Sequence, residues 1–136
     1  MPSDYLVAEQ WLFGILSGDA TLMGMITGVY SEIAPAEAVE PFVVIAQQGG
    51  ADVQEVAGRP LFVEELYQVK VVGRGNSYEA IRPAYERVHA LINRQAGPVS
   101  NGQVVACVRM TPVKYVDVDA GIIYRHLGGI YRLQSR

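Results

Sequence analysis

Near its start and again from residue 78 to residue 92, the chain repeats apolar residues every three to four positions, the spacing of an amphipathic helix. The first pattern predicts a helix that begins at Ser3 or Asp4 and stops at Ser17-Gly18. Its apolar face consists of Tyr5, Ala8, Leu12, Ile15 and Leu16. Asp19 can cap a second, short helix through Ile26, which Gly28 ends before an extended stretch begins at Val29.

The second pattern predicts a helix opened by a capping box, in which Asn76 is the N-cap and Glu79 follows three residues later. The apolar face of this helix consists of Tyr78, Ile81, Tyr85, Val88 and Ile92. The helix is expected to run to about Arg94, with a kink at Pro83. Three arginines, Arg82, Arg87 and Arg94, fall off the apolar face and form a basic outer surface, which is either a contact surface or an ordinary solvated one.

Shorter apolar runs and strict alternation predict the strands. Residues 42–46 form a β-branched run that suits a buried, central strand. Between residues 61 and 72 the odd positions are apolar, with Glu65 as the exception. A strand from residue 103 is expected to be interrupted at Pro112, and a last strand, 122–133, carries Gly128-Gly129 as an expected bulge or bend.

This order of elements predicts one domain over residues 1–136, of the α+β class. We expect a mostly antiparallel sheet of about four to five strands with two main helices packed on one face. Residues 48–60, with Gly49 and Gly50 at their start, are long for a connection between two strands. We interpret them as a protruding loop, either plainly mobile or an arm that orders on a neighbouring subunit.

Charge is sorted along the chain. Residues 1–58 contain no lysine or arginine, so all 11 basic residues follow, and the two halves carry about −8 and +5 of the net −3. The acids of the first part are Asp4, Glu9, Asp19, Glu32, Glu37, Glu40, Asp52 and Glu55. Such a split either gives the molecule an acidic and a basic flank that can stack head to tail, or disappears when the two signs intermix in the fold.

Candidate chemistry is sparse. Cys107 lies in an apolar run and suits a buried thiol, and neither His89 nor His126 has metal-ligand spacing to other ligand residues. Asp117 and Asp119 point to one side of a strand and could bind a cation, but an acidic pair beside a turn is the simpler interpretation. We expect no cofactor, no metal and no enzymatic activity. We also expect no membrane span, since the apolar runs are about five residues long.

The order of segments resembles the tail terminator (tail completion) proteins of long-tailed bacteriophages and their relatives in prophages and gene transfer agents. The resemblance covers nearly the whole chain and rests on weak motifs in a matching order. These are Gly28-Val29-Tyr30, Ala34-Pro35, Pro41 to Ile45 with Gly49-Gly50 after it, the strand Tyr67 to Val72, Asn76 to Ala80 at a helix start, and a closing strand rich in Tyr and Gly.

The resemblance implies a homohexameric ring that caps the tail tube, ends its polymerisation and joins the tail to the head at the tail-neck junction of the virion, after assembly in the host cytoplasm. Its implied partners are other copies of the chain, the major tail tube protein, a head-completion or neck protein and the tape measure protein. DNA would pass through the lumen without specific binding. The alternatives are another head-tail connector component, an adaptor or stopper, or a small ligand-binding α+β domain.

The subunit or partner interface is expected to involve the loop and the basic helix surface. Its candidate residues are Gly49, Gly50, Asp52, Val53, Glu55, Val56, Arg59, Arg82, Arg87 and Arg94.

Overall fold

The computed structural model describes residues 4–56 and 59–136, and the side chains of residues 6–50 and 62–136. Its elements are α1 (Asp4–Ser17), α2 (Ala20–Met23), β1 (Val29–Ser31), β2 (Phe42–Val56), β3 (Arg59–Arg74), a 3₁₀ turn (Tyr78–Ala80), α3 (Arg82–Ile92), β4 (Gly97–Val99), β5 (Gly102–Asp119) and β6 (Ile122–Ser135). The mixed α+β class is confirmed. In the described residues the sheet has six strands rather than four to five, because two short strands, β1 and β4, extend its edges.

The strands lie in the order β1-β2-β3-β6-β5-β4. The β1–β2 pair is parallel and the other neighbours are antiparallel, so the sheet is mostly antiparallel as predicted. The strand 42–46 lies in β2 and is buried, but the prediction that it is central was wrong. The two central strands are β3 and β6, and β2 is second from the edge.

The main core fills one face of the sheet, called here the helix face, where all three helices pack. The odd residues of β3 point to this face, as the alternation predicted: Val63, Tyr67, Val69 and Val71 are buried. They meet the apolar side of α1, whose members Ala8, Leu12 and Leu16 are fully buried. Trp11 of α1 is also buried there, although its position was not in the predicted apolar face.

The opposite face, called here the open face, carries a smaller apolar cluster. Phe42, Val44 and Val72 form this cluster, and Tyr30 packs on Phe42 edge-on with ring centroids 5.6 Å apart. The segment 32–41 has no regular structure, and its residues Ala34 and Ala38 pack against the cluster. Part of the open face is therefore covered by this segment.

The second long helix begins later than predicted. Ser77, not Asn76, caps the 3₁₀ turn, and its hydroxyl accepts a hydrogen bond from the backbone N–H of Glu79. The α-helix itself begins at Arg82, so Pro83 lies in its first turn, where a missing N–H costs no hydrogen bond. The predicted kink was wrong because Pro83 follows a helix start instead of interrupting a helix.

The predicted interruption at Pro112 and the bulge in the last strand were also wrong. β5 continues through Pro112, which pairs with Gly129 of β6. Two register shifts lie on β5, one between Val104 and Ala106 and one between Arg109 and Thr111. A Cβ on Gly128 would lie 2.6 Å from the Cα of Lys70 on β3, so this glycine serves close strand packing and not a bend.

Candidate assembly surfaces

The segment 48–60, predicted as a loop, is a continuation of two strands. β2 and β3 pair from Phe42 to Val56, with one register shift between Gln47 and Gly49. The glycine pair expected at the start of the loop instead lies within β2, directly after this register shift. A Cβ on Gly50 would lie 3.0 Å from the carbonyl oxygen of Glu64, closer than most Cβ contacts.

This hairpin extends beyond the rest of the sheet. β1 pairs with β2 only as far as Ile45, and β6 pairs with β3 only from Val63. Within the described residues, the stretch 46–56 of β2 therefore pairs only with β3. Residues 59–62 of β3 likewise pair only with β2. We call residues 49–62 the arm. The backbones of Asp52, Val53, Glu55, Val56 and Arg59 lie in the paired strands of the arm, and their side chains lie outside the described part of the chain.

A buried acid lies at the base of the arm. Glu65 is 0% exposed, and its Oε2 accepts hydrogen bonds of 3.1 Å from the Tyr67 hydroxyl and from Nε2 of Gln47. Its Oε1 is buried and has no partner in the described structure. The pKa of the Glu65 carboxyl is raised to about 7. Burial is the largest cause, the Tyr67 hydrogen bond opposes it, and the charge of Glu9 adds to the increase. Sequence alternation singled out Glu65 as an exception without indicating its burial.

The second unpaired edge belongs to β5. β4 pairs only with residues 102–104 of β5, so residues 105–119 have β6 on one side and no strand of the described chain on the other. Several apolar side chains within this stretch of β5 are exposed: Val105, Met110, Tyr115, Val116 and Val118. Arg94 and Asn93 already hydrogen-bond the backbone of Cys107 and Arg109, so the open part of the edge is residues 110–119. A long open strand edge is a template for pairing with another chain.

The three predicted interface arginines have different surroundings. Arg82 pairs within its own segment, at 2.9 Å from Glu79 and 3.8 Å from Glu86. Arg87 instead makes two hydrogen bonds, of 2.9 and 2.7 Å, to the carboxylate of Asp19. Arg94 follows the end of α3 and is exposed, with a left-handed φ of 61°. The role of each at an interface stays a prediction.

The strand order shows in part whether the acidic and basic residues of the chain are separated or intermixed in the fold. Glu32, Glu37 and Glu40 lie at or beside the β1–β2 edge, whereas Lys114 lies on β5 at the opposite side of the sheet. Two ion pairs nevertheless join the acidic and basic parts of the sequence: Asp19 with Arg87, and Glu40 with Arg74 at 3.2 Å. The charge split is therefore partly neutralised inside one subunit and partly left across the sheet.

Comparison of the fold finds a match in a virus-like particle. A chain in the virion of a native gene transfer agent particle superposes with a TM-score of 0.75 at 17% sequence identity. The match covers 91% of this chain and 90% of that chain. The two chains share a fold. No protein-family model and no curated protein sequence matches the chain.

The candidate chemical groups of the sequence lie in different places. Cys107 is fully buried, and burial raises the pKa of its thiol to about 12. His89 shares a hydrogen bond of 2.8 Å with the Tyr131 hydroxyl, which is also 2.9 Å from the Tyr85 hydroxyl. This polar network between α3 and β6 was not foreseen, because each tyrosine separately fits an apolar pattern.

No cluster of metal-ligating side chains occurs among the described residues, and no helix in that part of the chain is long and apolar enough to cross a membrane. His126 and Asp117 lie on the open face of the sheet, with His126 Nε2 3.9 Å from Asp117 Oδ2. Asp119 ends β5 beside the turn at Ala120 and Gly121, as the interpretation of a turn-flanking acidic pair predicted.

Proposed function

We propose that this chain is a structural protein of a phage-like or gene-transfer-agent-like particle, and that it forms a ring at the head-proximal end of the tail tube. The observation that carries the proposal is the shared fold over nine tenths of both chains with a component of a gene transfer agent virion. The order of sequence motifs resembles the tail terminators of such particles and supports the finer assignment.

The two unpaired edges support a ring. A ring needs a heterologous interface, in which one patch of a subunit meets a different patch of the next. The arm and the 105–119 edge of β5 lie on opposite sides of the sheet and both have unpaired backbone groups. Pairing the arm of one copy with the β5 edge of the next would satisfy both edges and leave no open strand once the ring closes.

In this function the chain binds and positions and carries out no reaction. The ring, homohexameric by resemblance, would stop addition of the major tail tube protein and present its other side to a head-completion or neck protein. The tape measure protein would end at the same ring, and DNA would pass through the lumen without specific contacts. The protein would reside at the tail-neck junction of the virion after assembly in the host cytoplasm.

The test is assembly of the purified chain with and without its tail tube protein, followed by light scattering and negative-stain imaging. We expect rings at one end of tubes of limited length. An adaptor or stopper would instead bind only to the neck or portal side, and monomers in both the free and the tube-bound samples would contradict the ring.

A matched pair of variants separates the edge from general surface effects. Val116→Lys with Val118→Lys places two charges on the exposed edge strand, where both side chains already face solvent. Met25→Lys is the control, since Met25 is 40% exposed and lies between α2 and β1, on neither edge. The edge variant should remain folded and fail to form rings, whereas Met25→Lys should assemble as the parent does. Normal rings from the edge variant would exclude this edge from the interface.

A further inference from the structure

A groove of about 550 Å³ lies on the open face, between the segment 32–40 and the far end of the β5–β6 hairpin. Its polar lining consists of four carboxylates, one ammonium and one imidazole: Glu32, Glu40, Asp117, Asp119, Lys70 and His126. The apolar cluster of Phe42 and Val44, together with Tyr124, supplies the rest of the wall. Asp117 and Asp119 also belong to the 105–119 edge of β5, so the groove adjoins that edge on the open face of the sheet.

His126 is a buried polar group without a partner. It is 8% exposed, and neither ring nitrogen makes a hydrogen bond in the described structure. The Tyr115 ring stacks on the imidazole at 4.2 Å with an angle of 8° between the planes, which fixes the orientation of the imidazole at the groove. An unpaired buried donor or acceptor is unfavourable, so native proteins generally supply a partner.

The imidazole is neutral at physiological pH. Burial and the nearby charge of Lys70 lower the pKa of His126 to about 4, against the opposing effect of Asp117. A neutral imidazole presents one N–H donor and one acceptor nitrogen. A partner that completes this site must therefore supply both a donor and an acceptor.

Two of the four carboxylates are uncommitted. Glu40 pairs with Arg74, and Glu32 accepts a hydrogen bond of 3.2 Å from the backbone N–H of Gln47. Among the side chains that the structure describes, no lysine or arginine lies within 4.0 Å of Asp117 or Asp119. Lys70 forms no ion pair with either, because its ammonium donates to the Tyr115 hydroxyl at 2.5 Å, and its single charge, with that of Arg74, offsets only two of the four carboxylates. The groove therefore has an excess of negative charge.

We propose that this groove binds an arginine side chain presented by a peptide segment of a partner protein. The planar guanidinium carries several N–H groups. One guanidinium can reach both acceptor atoms, Asp117 Oδ2 and His126 Nε2, which are 3.9 Å apart. The Arg74 guanidinium of the chain itself lies over the Tyr124 ring, 5.7 Å from its centroid, so the incoming arginine is held by its hydrogen bonds to the acceptors and not by stacking on this ring. A main-chain carbonyl beside the arginine can accept the imidazole N–H.

The partner is assigned to a different protein because copies of this chain can pair through the backbone groups of their two sheet edges, whereas the groove is formed by side chains on the open face. This assignment does not depend on the ring. It requires only that the open face be accessible in the free subunit.

The probe is N-acetyl-arginine N-methylamide, titrated into the full chain while the imidazole resonances of His126 are followed by NMR. The matched control ligand is the citrulline analogue, which has the same shape without the charge. We expect saturable shifts at His126 with the arginine probe. The affinity for the citrulline analogue should be at least about tenfold lower, the factor that one charge-assisted hydrogen bond contributes. Equal shifts with both probes, or none at His126, would overturn the proposal.

Asp117→Asn with Asp119→Asn keeps the shape of the groove and removes its two uncommitted charges. This variant should bind the arginine probe at least about fivefold more weakly. Glu86→Gln, an exposed acid on α3, is the control and should bind within about twofold of the parent. Unchanged affinity in the double variant would overturn the proposal. Loss of self-association in that variant would make the occupant a second copy and overturn the assignment to a different protein.

Discussion

The hydroxyl of Tyr67 donates a hydrogen bond of 3.1 Å to the carboxylate of Glu65, two residues away on the same strand and on the same face. Both side chains are buried, at 2% and 0% exposure, among apolar neighbours of the helix face. Burial outweighs this hydrogen bond and favours the protonated acid. The base of the arm therefore contains a group whose charge changes near neutral pH.

The stability of the chain should depend on pH through Glu65. Its pKa is about 7 in the folded state against an ordinary 4.5, so the folded state holds the proton more tightly. The contribution of Glu65 to the free energy of unfolding should fall as pH rises from about 4.5 to about 7, and stay level above that. Glu65→Gln should therefore be more stable than the parent at pH 8, by about 2–3 kcal/mol, and similar to it near pH 5.

Urea denaturation of both proteins at several pH values measures this difference. His126 acts in the opposite direction over part of the same range, because its lowered pKa makes stability rise with pH. The comparison with Glu65→Gln cancels that effect, since both proteins contain His126. Glu64→Gln, on the open face of the same strand, is the control and should show no such pH-dependent gain. A constant offset between Glu65→Gln and the parent would contradict the ionisation of Glu65.

Local periodicity predicted the elements whose packing is local. The alternation in β3 placed Val63, Val69 and Val71 on the buried face because one strand residue in two must face the core. The cap at Asp19 was also predicted, and its carboxylate accepts from the backbone N–H of Leu22. These features depend on residues that are close together in the sequence, so a local pattern is enough to predict them.

The wrong predictions within the strands concern positions at which a distant strand decides the outcome. Gly50 and Pro112 resemble strand ends in isolation, yet pairing with β3 and β6 carries the chain through both. The groove at His126 could not be predicted for the same reason. It brings Glu32, Lys70 and Asp117 together through the strand order, and no spacing along the sequence encodes that proximity.

Close packing of the central strands predicts a large effect at Gly128. An added Cβ would lie 2.6 Å from the Cα and Cβ of Lys70, and the carbonyl oxygen of Val69 is closer still. Because backbone atoms cannot yield as a flexible side chain does, Gly128→Ala should lower the free energy of unfolding by about 2–4 kcal/mol. Thermal or urea denaturation of the variant measures it.

Gly14→Ala is the matched control for Gly128→Ala. Gly14 lies inside α1, and an added Cβ there would meet nothing within 4 Å. The same substitution should therefore stabilise the chain, by about 0.5–1 kcal/mol, through higher helix propensity. Similar destabilisation by both alanines would mean that strand crowding at Gly128 is not the cause.

Arg87 and Asp19 should behave as a coupled pair within one subunit. The hydrogen bonds from Arg87, followed by the one from the Leu22 backbone, lower the pKa of Asp19 to about 2. The stability that this pair contributes is present above the ordinary pKa of 3.8 and is lost as pH falls through about 2. Arg87→Gln and Asp19→Asn should each destabilise the fold at pH 7, and the double variant by less than the sum.

A double-mutant cycle by urea denaturation at pH 7 tests this coupling, and the same cycle at high salt should give a smaller coupling energy. Additive effects would mean that Arg87 is free to serve another chain. The result decides how interface charges should be probed: with Arg87 coupled to the fold, charge reversal belongs at Arg82 and Arg94, both of which can change without breaking the contact with Asp19.

The arm should be required for assembly and dispensable for folding. Asp52 and Val63 pair directly, so replacing residues 53–62 by Asn-Gly would close a two-residue hairpin at that pair and keep the buried Val63. The shortened chain should retain its circular dichroism spectrum and cooperative melting, because the removed residues of β3 contact β2 and not β6. Tails assembled with it should be uncapped and variable in length, or should fail to join heads.

Hydrogen exchange in the unshortened chain gives the direct measurement. A two-stranded ribbon opens easily, so amides in residues 49–56 should exchange quickly in the free subunit. In assembled tails the outer edge of β2 would gain a strand, and exchange in the same residues should slow by about tenfold or more. Residues 66–72, paired on both sides within one subunit, provide the internal reference and should exchange equally slowly in both states. Equally fast exchange of residues 49–56 in both states would mean that the arm pairs with no other chain.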